Sequence, residues 1–163
     1  MMFSAAFVCA LSLASDPIPG RNYVRSHEKG LIAKINNNSD ASAWFAALPG
    51  TDEVRMDTGF ERTLTVKTSE DKFQLRCVAN GSHVCDLTYA TRGHIDRRSD
   101  GKGGEFRLSS ATSETLYRTL KLPTRSAGHT ALKGLQTSDG LLALGCAFHA
   151  GEQGPRCWLI IMQ

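Results

Sequence analysis

The chain has 163 residues, 41% of them hydrophobic and 21% charged, with a formal net charge of +3. That length suits one compact domain or two small ones. The charge balance is too slight to indicate nucleic-acid binding, and no apolar run is long enough to span a bilayer.

Residues 1–14 form an uncharged apolar stretch that ends in the small-x-small sequence Ser12-Leu13-Ala14, so a secretory signal is expected there. Cleavage after Ala14 removes Cys9 and leaves an even set, Cys77, Cys85, Cys146 and Cys157, as expected of a secreted or periplasmic protein stabilised by disulfides. Residues 15–30, opening on Asp16-Pro17-Ile18-Pro19, read as an extended lead-in.

Residues 31–92 predict a first subdomain. Leu31 to Ile35 alternates like a strand, and Asn36-Asn37-Asn38 reads as a turn. Trp44, Phe45 and Leu48 then share one face of a helix capped by Ser39 or Asp40 and ended by Pro49. Arg62 to Lys67 alternates again. Phe73, Leu75 and Cys77 lead into Asn80-Gly81, a strong hairpin signal, and out through Cys85, Leu87 and Tyr89. With Cys77 opposite Cys85, Leu75 faces Leu87 and Phe73 faces Tyr89, all on one side of the sheet.

Residues 93–104 read as a Gly-rich linker carrying His94, Arg97, Arg98 and Lys102. Residues 105–163 then repeat the first pattern. Glu105 to Leu108 forms a strand, and Leu116, Tyr117 and Leu120 lie on a helix capped by Ser110 or Ser113 and ended by Pro123. Ala131 to Leu135 is a strand, and Thr137-Ser138-Asp139 matches Thr68-Ser69-Glu70. A second cysteine hairpin sets Cys146 opposite Cys157, Leu144 opposite Leu159 and Leu142 opposite Ile161.

The expected fold class is α+β: a tandem duplication of a (β)-α-β-β-β unit, with antiparallel sheets that each pack one helix and carry a disulfide-pinned hairpin. Four cysteines allow three pairings, and the register favours Cys77–Cys85 with Cys146–Cys157. Trp158, Ile160 and Met162 make the last strand apolar on both faces, which fits either a strand covered on both sides or an exposed patch.

No motif marks catalysis. The five histidines lack metal-ligand spacing, no serine sits in a nucleophile elbow, and Glu70-Asp71 reads as a turn. No metal or other cofactor is expected. A disulfide-stabilised binding protein is therefore expected, such as an inhibitor of a hydrolase. At the level of architecture it resembles secreted beta-lactamase and lysozyme inhibitors. The features that the repeat does not copy point to His94, Arg97, Arg98, Lys102 and Arg156 as a surface for another protein, an acidic one. A small hydrolase using His94 or His129 with an acid, and an envelope assembly module, are the alternatives.

Overall fold

The computed structural model describes residues 17–92, 96–97, 103–127, 130–148 and 151–162, with backbone alone at 96–97, 126–127 and 130–131. The expected signal and the residues His94, Arg98, Lys102 and His129 lie outside this set.

The first unit runs β1 (Tyr23–His27), β2 (Gly30–Ile35), α1 (Asn38–Ala47), β3 (Val54–Met56), β4 (Gly59–Lys67), β5 (Asp71–Asn80) and β6 (Ser82–Thr91). The second runs β7 (Asp96–Arg97), β8 (Gly103–Arg107), α2 (Ser110–Thr119), β9 (Thr124–Ala127), β10 (Thr130–Gln136), β11 (Leu142–Phe148) and β12 (Pro155–Met162). Each unit is a six-stranded antiparallel sheet, ordered β1-β2-β6-β5-β4-β3 and β7-β8-β12-β11-β10-β9. Element order and strand order are therefore the same in both. Each has two strands more than the sequence pattern suggests: β1 and β3 in the first, β7 and β9 in the second. All four are short edge strands, where a weak apolar alternation leaves little to read.

The cysteine hairpins pair in the predicted register. Cys77 faces Cys85, Leu75 faces Leu87 and Phe73 faces Tyr89, while Cys146 faces Cys157, Leu144 faces Leu159 and Leu142 faces Ile161. Both disulfides are formed, each with Cα atoms 4.1 Å apart. Closing such short loops contributes about 2–3 kcal/mol apiece in the chain-entropy account. Gly81 turns the first hairpin with φ +65°, a conformation that other residues resist.

Each helix lies over its disulfide, with Cys85 Sγ 3.4 Å from the Ala41 carbonyl and Cys157 Sγ 3.4 Å from the Ser113 carbonyl. Counterpart contacts recur further along. The Arg62 guanidinium sits 4.3 Å from the Phe45 ring centre, and the Lys133 ammonium 4.7 Å from that of Tyr117. The helix N-caps are Asn37 and Ser109, whose side chains accept from the amides of Asp40 and Thr112. They replace the expected Ser39 or Asp40 and Ser110 or Ser113. Asn caps as well as Ser does, and Asp40 and Ser113 are committed elsewhere: Ser113 Oγ accepts from the Cys157 amide at 3.0 Å.

One apolar core spans both units, with Trp44, Phe73, Leu87, Leu116, Leu144 and Leu159 fully buried in it. Tyr89 of the first unit meets Phe106 of the second edge-on, with ring centres 5.9 Å apart. The Lys121 amide also donates to the Ala47 carbonyl at 2.9 Å, linking the end of α1 to the chain after α2.

Candidate functional site

The Thr-Ser-acid turns, alike in sequence, do the same work: each docks against the first turn of the other unit's helix. Thr68 and Thr137 close their own turns, the Thr68 hydroxyl accepting from the Asp71 amide at 3.0 Å and that of Thr137 from the Leu142 amide at 3.1 Å. Beyond that point the chemistry is exchanged.

At the first junction the carboxylate belongs to the helix. Asp40, in the first turn of α1, accepts from the Ser138 amide and hydroxyl, both at 3.0 Å. Asn22 fills the remaining space. Its Nδ2 donates to Asp40 at 2.7 Å and to Asp139 at 3.1 Å, and its Oδ1 accepts from the Asn37 amide at 2.9 Å.

At the second junction the carboxylate belongs to the turn. Asp71 stands where the second unit has Gly140, and it is buried. It accepts from the hydroxyls of Thr68 (2.7 Å), Ser109 (2.7 Å), Thr112 (2.6 Å) and Tyr89 (3.0 Å), and from the Ser109 amide (2.8 Å). Burial acts to raise its pKa, but hydrogen bonds from Thr112, the Ser109 amide, Thr68 and the Ser109 hydroxyl outweigh it, and the value falls below the ordinary one. Burial first and the Asp71 charge second hold the Tyr89 phenol far above its usual value. Glu70-Asp71 lies in the turn that its sequence predicts, and Asp71 is also the main polar link between the units. The signal was its mismatch with Gly140 in an otherwise similar turn.

Beside Asp71 the surface is concave. A notch of about 510 Å³ is bordered by Glu70, Arg92, Arg107, Ser109 and Ser110. A second hollow of about 510 Å³ continues from Arg107 and Ser110 to Arg156 on the β11–β12 hairpin. The side chains of Arg92 and Arg107 make no hydrogen bond or ion pair among the described residues.

Of the residues singled out in the sequence, Arg156 lines this groove, already ion-paired with Glu152. Arg97 lies in β7, its backbone in register with Gly104. His94, Arg98 and Lys102 fall outside the described residues. Arg92 and Arg107 give no signal in the sequence, because isolated arginines at or just past the ends of strands carry no pattern. His83, by contrast, is structural: its amide and ring both approach Asn38 Oδ1, and the ring meets Phe45 edge-on at 5.4 Å.

Among the described residues no cluster of three His, Cys, Asp or Glu side chains is placed to hold a metal ion. No helix is long and apolar enough to cross a membrane. No protein-family model, curated protein or solved structure matches the chain.

Proposed function

We propose that this is a binding protein of an oxidising, extracytoplasmic compartment, and that it engages an acidic surface of another protein through the groove beside α2. The observation that carries the reading is the pairing of a continuous hollow with two arginines, Arg92 and Arg107, that have no acidic partner among the described residues. A rigid, disulfide-pinned frame supports it, since a preformed surface loses little freedom on binding. Inhibition of a hydrolase is the form of binding that such a frame suits best. In sequence, His94, Arg97, Arg98 and Lys102 lie between Arg92 and β8.

The test is an affinity capture from the native compartment with wild type and with Arg92→Glu/Arg107→Glu. The expected result is a partner lost in the variant and weakened for wild type by added salt, because exposed charge pairs are screened. An identical set of captured proteins for both would refute the groove as the contact surface. Intact mass of this protein isolated from its native compartment should also give an N-terminus at Ser15 or Asp16.

A further inference from the structure

The outer face of the first sheet divides into two halves of different charge. Beside Cys77 and Cys85, the side chains of Lys34, Asp86, Arg76 and Glu61 pair each cation with an acid. Toward the β4–β5 turn the pairing stops. Register places His27, Gly30, Ala90, Lys72 and Lys67 in one row across β1, β2, β6, β5 and β4. Next to it runs a row of Arg25, Ile32, Thr88, Gln74 and Thr65. Neither row holds a carboxylate. Arg25, Lys67 and Lys72 are exposed and make no ion pair among the described residues.

In the flanking turns Glu28 offsets Lys29 and Glu70 offsets Arg92, while Asp71 is buried and engaged by five donors. With Asp71 counted as well, this end of the sheet keeps a positive sum. Lys67 and Lys72 also face each other directly. Like charges so placed weaken a sheet, and the fold does not require them. The second hairpin, built on the same plan, ends its register at Gln136 and Ala143 with no charged pair.

We infer that this strip binds a linear sulfated polysaccharide. Its ligand is independent of the protein partner proposed for the groove beside α2.

From β1 to β4 the strip crosses four strand spacings, about 19 Å, so its cations match several anionic groups along one chain and not a single small anion. The ammoniums of Lys67 and Lys72 are point charges suited to tetrahedral oxyanions, without the planar fork that matches a carboxylate. Thr65, Gln74 and Thr88 offer hydroxyl and amide groups to sugar hydroxyls, and Ala90 and Gly30 leave the middle of the row low. Other polyanions fit less well. Neither row carries a Phe, Tyr or Trp ring on which a base could stack. Ile32, 50% exposed, is too small an apolar surface to enter a bilayer.

The test is a titration of the full chain, followed by backbone amide NMR, with two hexasaccharides: one derived from heparin, the other of hyaluronan, which carries carboxylates but no sulfate. The expected result is saturable shifts at Thr65, Lys67, Lys72, Thr88 and Ala90 with the heparin fragment, weakened by added salt. The hyaluronan fragment should bind at least about tenfold more weakly, and Ser110 and Arg156 in the groove should not move. Phosphatidylglycerol vesicles and a DNA duplex, compared at equal charge concentration, should also bind more weakly. In Lys67→Gln/Lys72→Gln the affinity should fall at least about tenfold while thermal stability holds or rises, because two facing like charges are gone. Should that variant fail to fold, Arg25→Gln decides: a severalfold loss of affinity is expected, and none overturns the inference. Shifts confined to the groove, equal binding of the two fragments, affinity that survives the double substitution, tighter binding to vesicles or DNA, or no saturable shift would each overturn it too.

Discussion

The two sheets share an inner face and differ on the outer one. Across the first sheet, Lys34, Asp86, Arg76 and Glu61 form a ladder of ion pairs over β2, β6, β5 and β4, at 3.8, 3.9 and 2.8 Å. By register, the same positions in the second sheet hold Arg107, Trp158, Gly145 and Leu132. The charged ladder is replaced by an indole lying against a glycine, where an added Cβ would come within 3.0 Å of Trp158 Nε1. The difference teaches that packing against the shared core constrains one side of each strand closely. The other side is free to diverge, since alternate residues answer to different neighbours. The junctions show the same freedom: one plan of docking, with the carboxylate moved from helix to turn.

The sharpest way to break this comparison is at the two carboxylates. Asp71→Ala leaves five donors around a buried site without their acceptor and should cost about 3 kcal/mol or more, measured by urea unfolding. Asp40→Ala removes three accepted bonds where Asp71→Ala removes five, and should cost about 1–2 kcal/mol. Equal losses would mean that the two junctions are energetically alike despite their chemistry.

The same carboxylate sets an acid response. The pKa of Asp71 is lower in the folded than in the unfolded chain, so the unfolded state takes up the proton first as pH falls. Its contribution is complete at neutral pH and fades below about pH 4, near the unfolded carboxylate value. Asp71→Ala should flatten the loss of stability there, which thermal melts from pH 7 to pH 2.5 will read.

A smaller effect tests the outer face of the second sheet. At Gly134 an added Cβ would lie 2.6 Å from the Leu144 carbonyl oxygen, part of the backbone, whereas at Gly145 it meets only the Trp158 side chain. Gly134→Ala should therefore cost about 1–3 kcal/mol and Gly145→Ala less, with a change in indole fluorescence for the latter. The smallest effect belongs to the ladder: Arg76→Ala should change stability by less than about 1 kcal/mol, because its ion pairs are partly exposed and screened. A larger loss would make the ladder a structural requirement of the first sheet and not a solvated decoration.

What was legible in the sequence was whatever a period of two and a turn residue can specify. Cys77, Leu75 and Phe73 carried their register with them, as did Cys146, Leu144 and Leu142, so pairing and disulfides followed from one rule. The helices were visible in Trp44 and Leu48, and in Leu116 and Leu120. Their caps were misplaced by a few residues because several Ser, Asn and Asp side chains compete there, and only the fold decides which are drawn into the junctions. The choice between core and patch for Trp158, Ile160 and Met162 also depended on the fold: β12 is a central strand, and these three lie half-buried on its outer side. The notch was illegible for a stronger reason. Glu70, Arg92, Arg107 and Ser110 come from four segments, and nothing local links an arginine that ends one strand to another in the next unit.

The reciprocal docking of turn on helix has a consequence for how the molecule comes apart. Each helix has its first turn held by the other half of the chain, so neither half can loosen without releasing a helix end in its neighbour. Local opening of one sheet then becomes opening of both, and the two halves melt as one cooperative unit. A nascent first half, emerging alone, would carry Asp71 and Tyr89 without the Ser109 and Thr112 that later surround them, and its final packing waits on the arrival of the second.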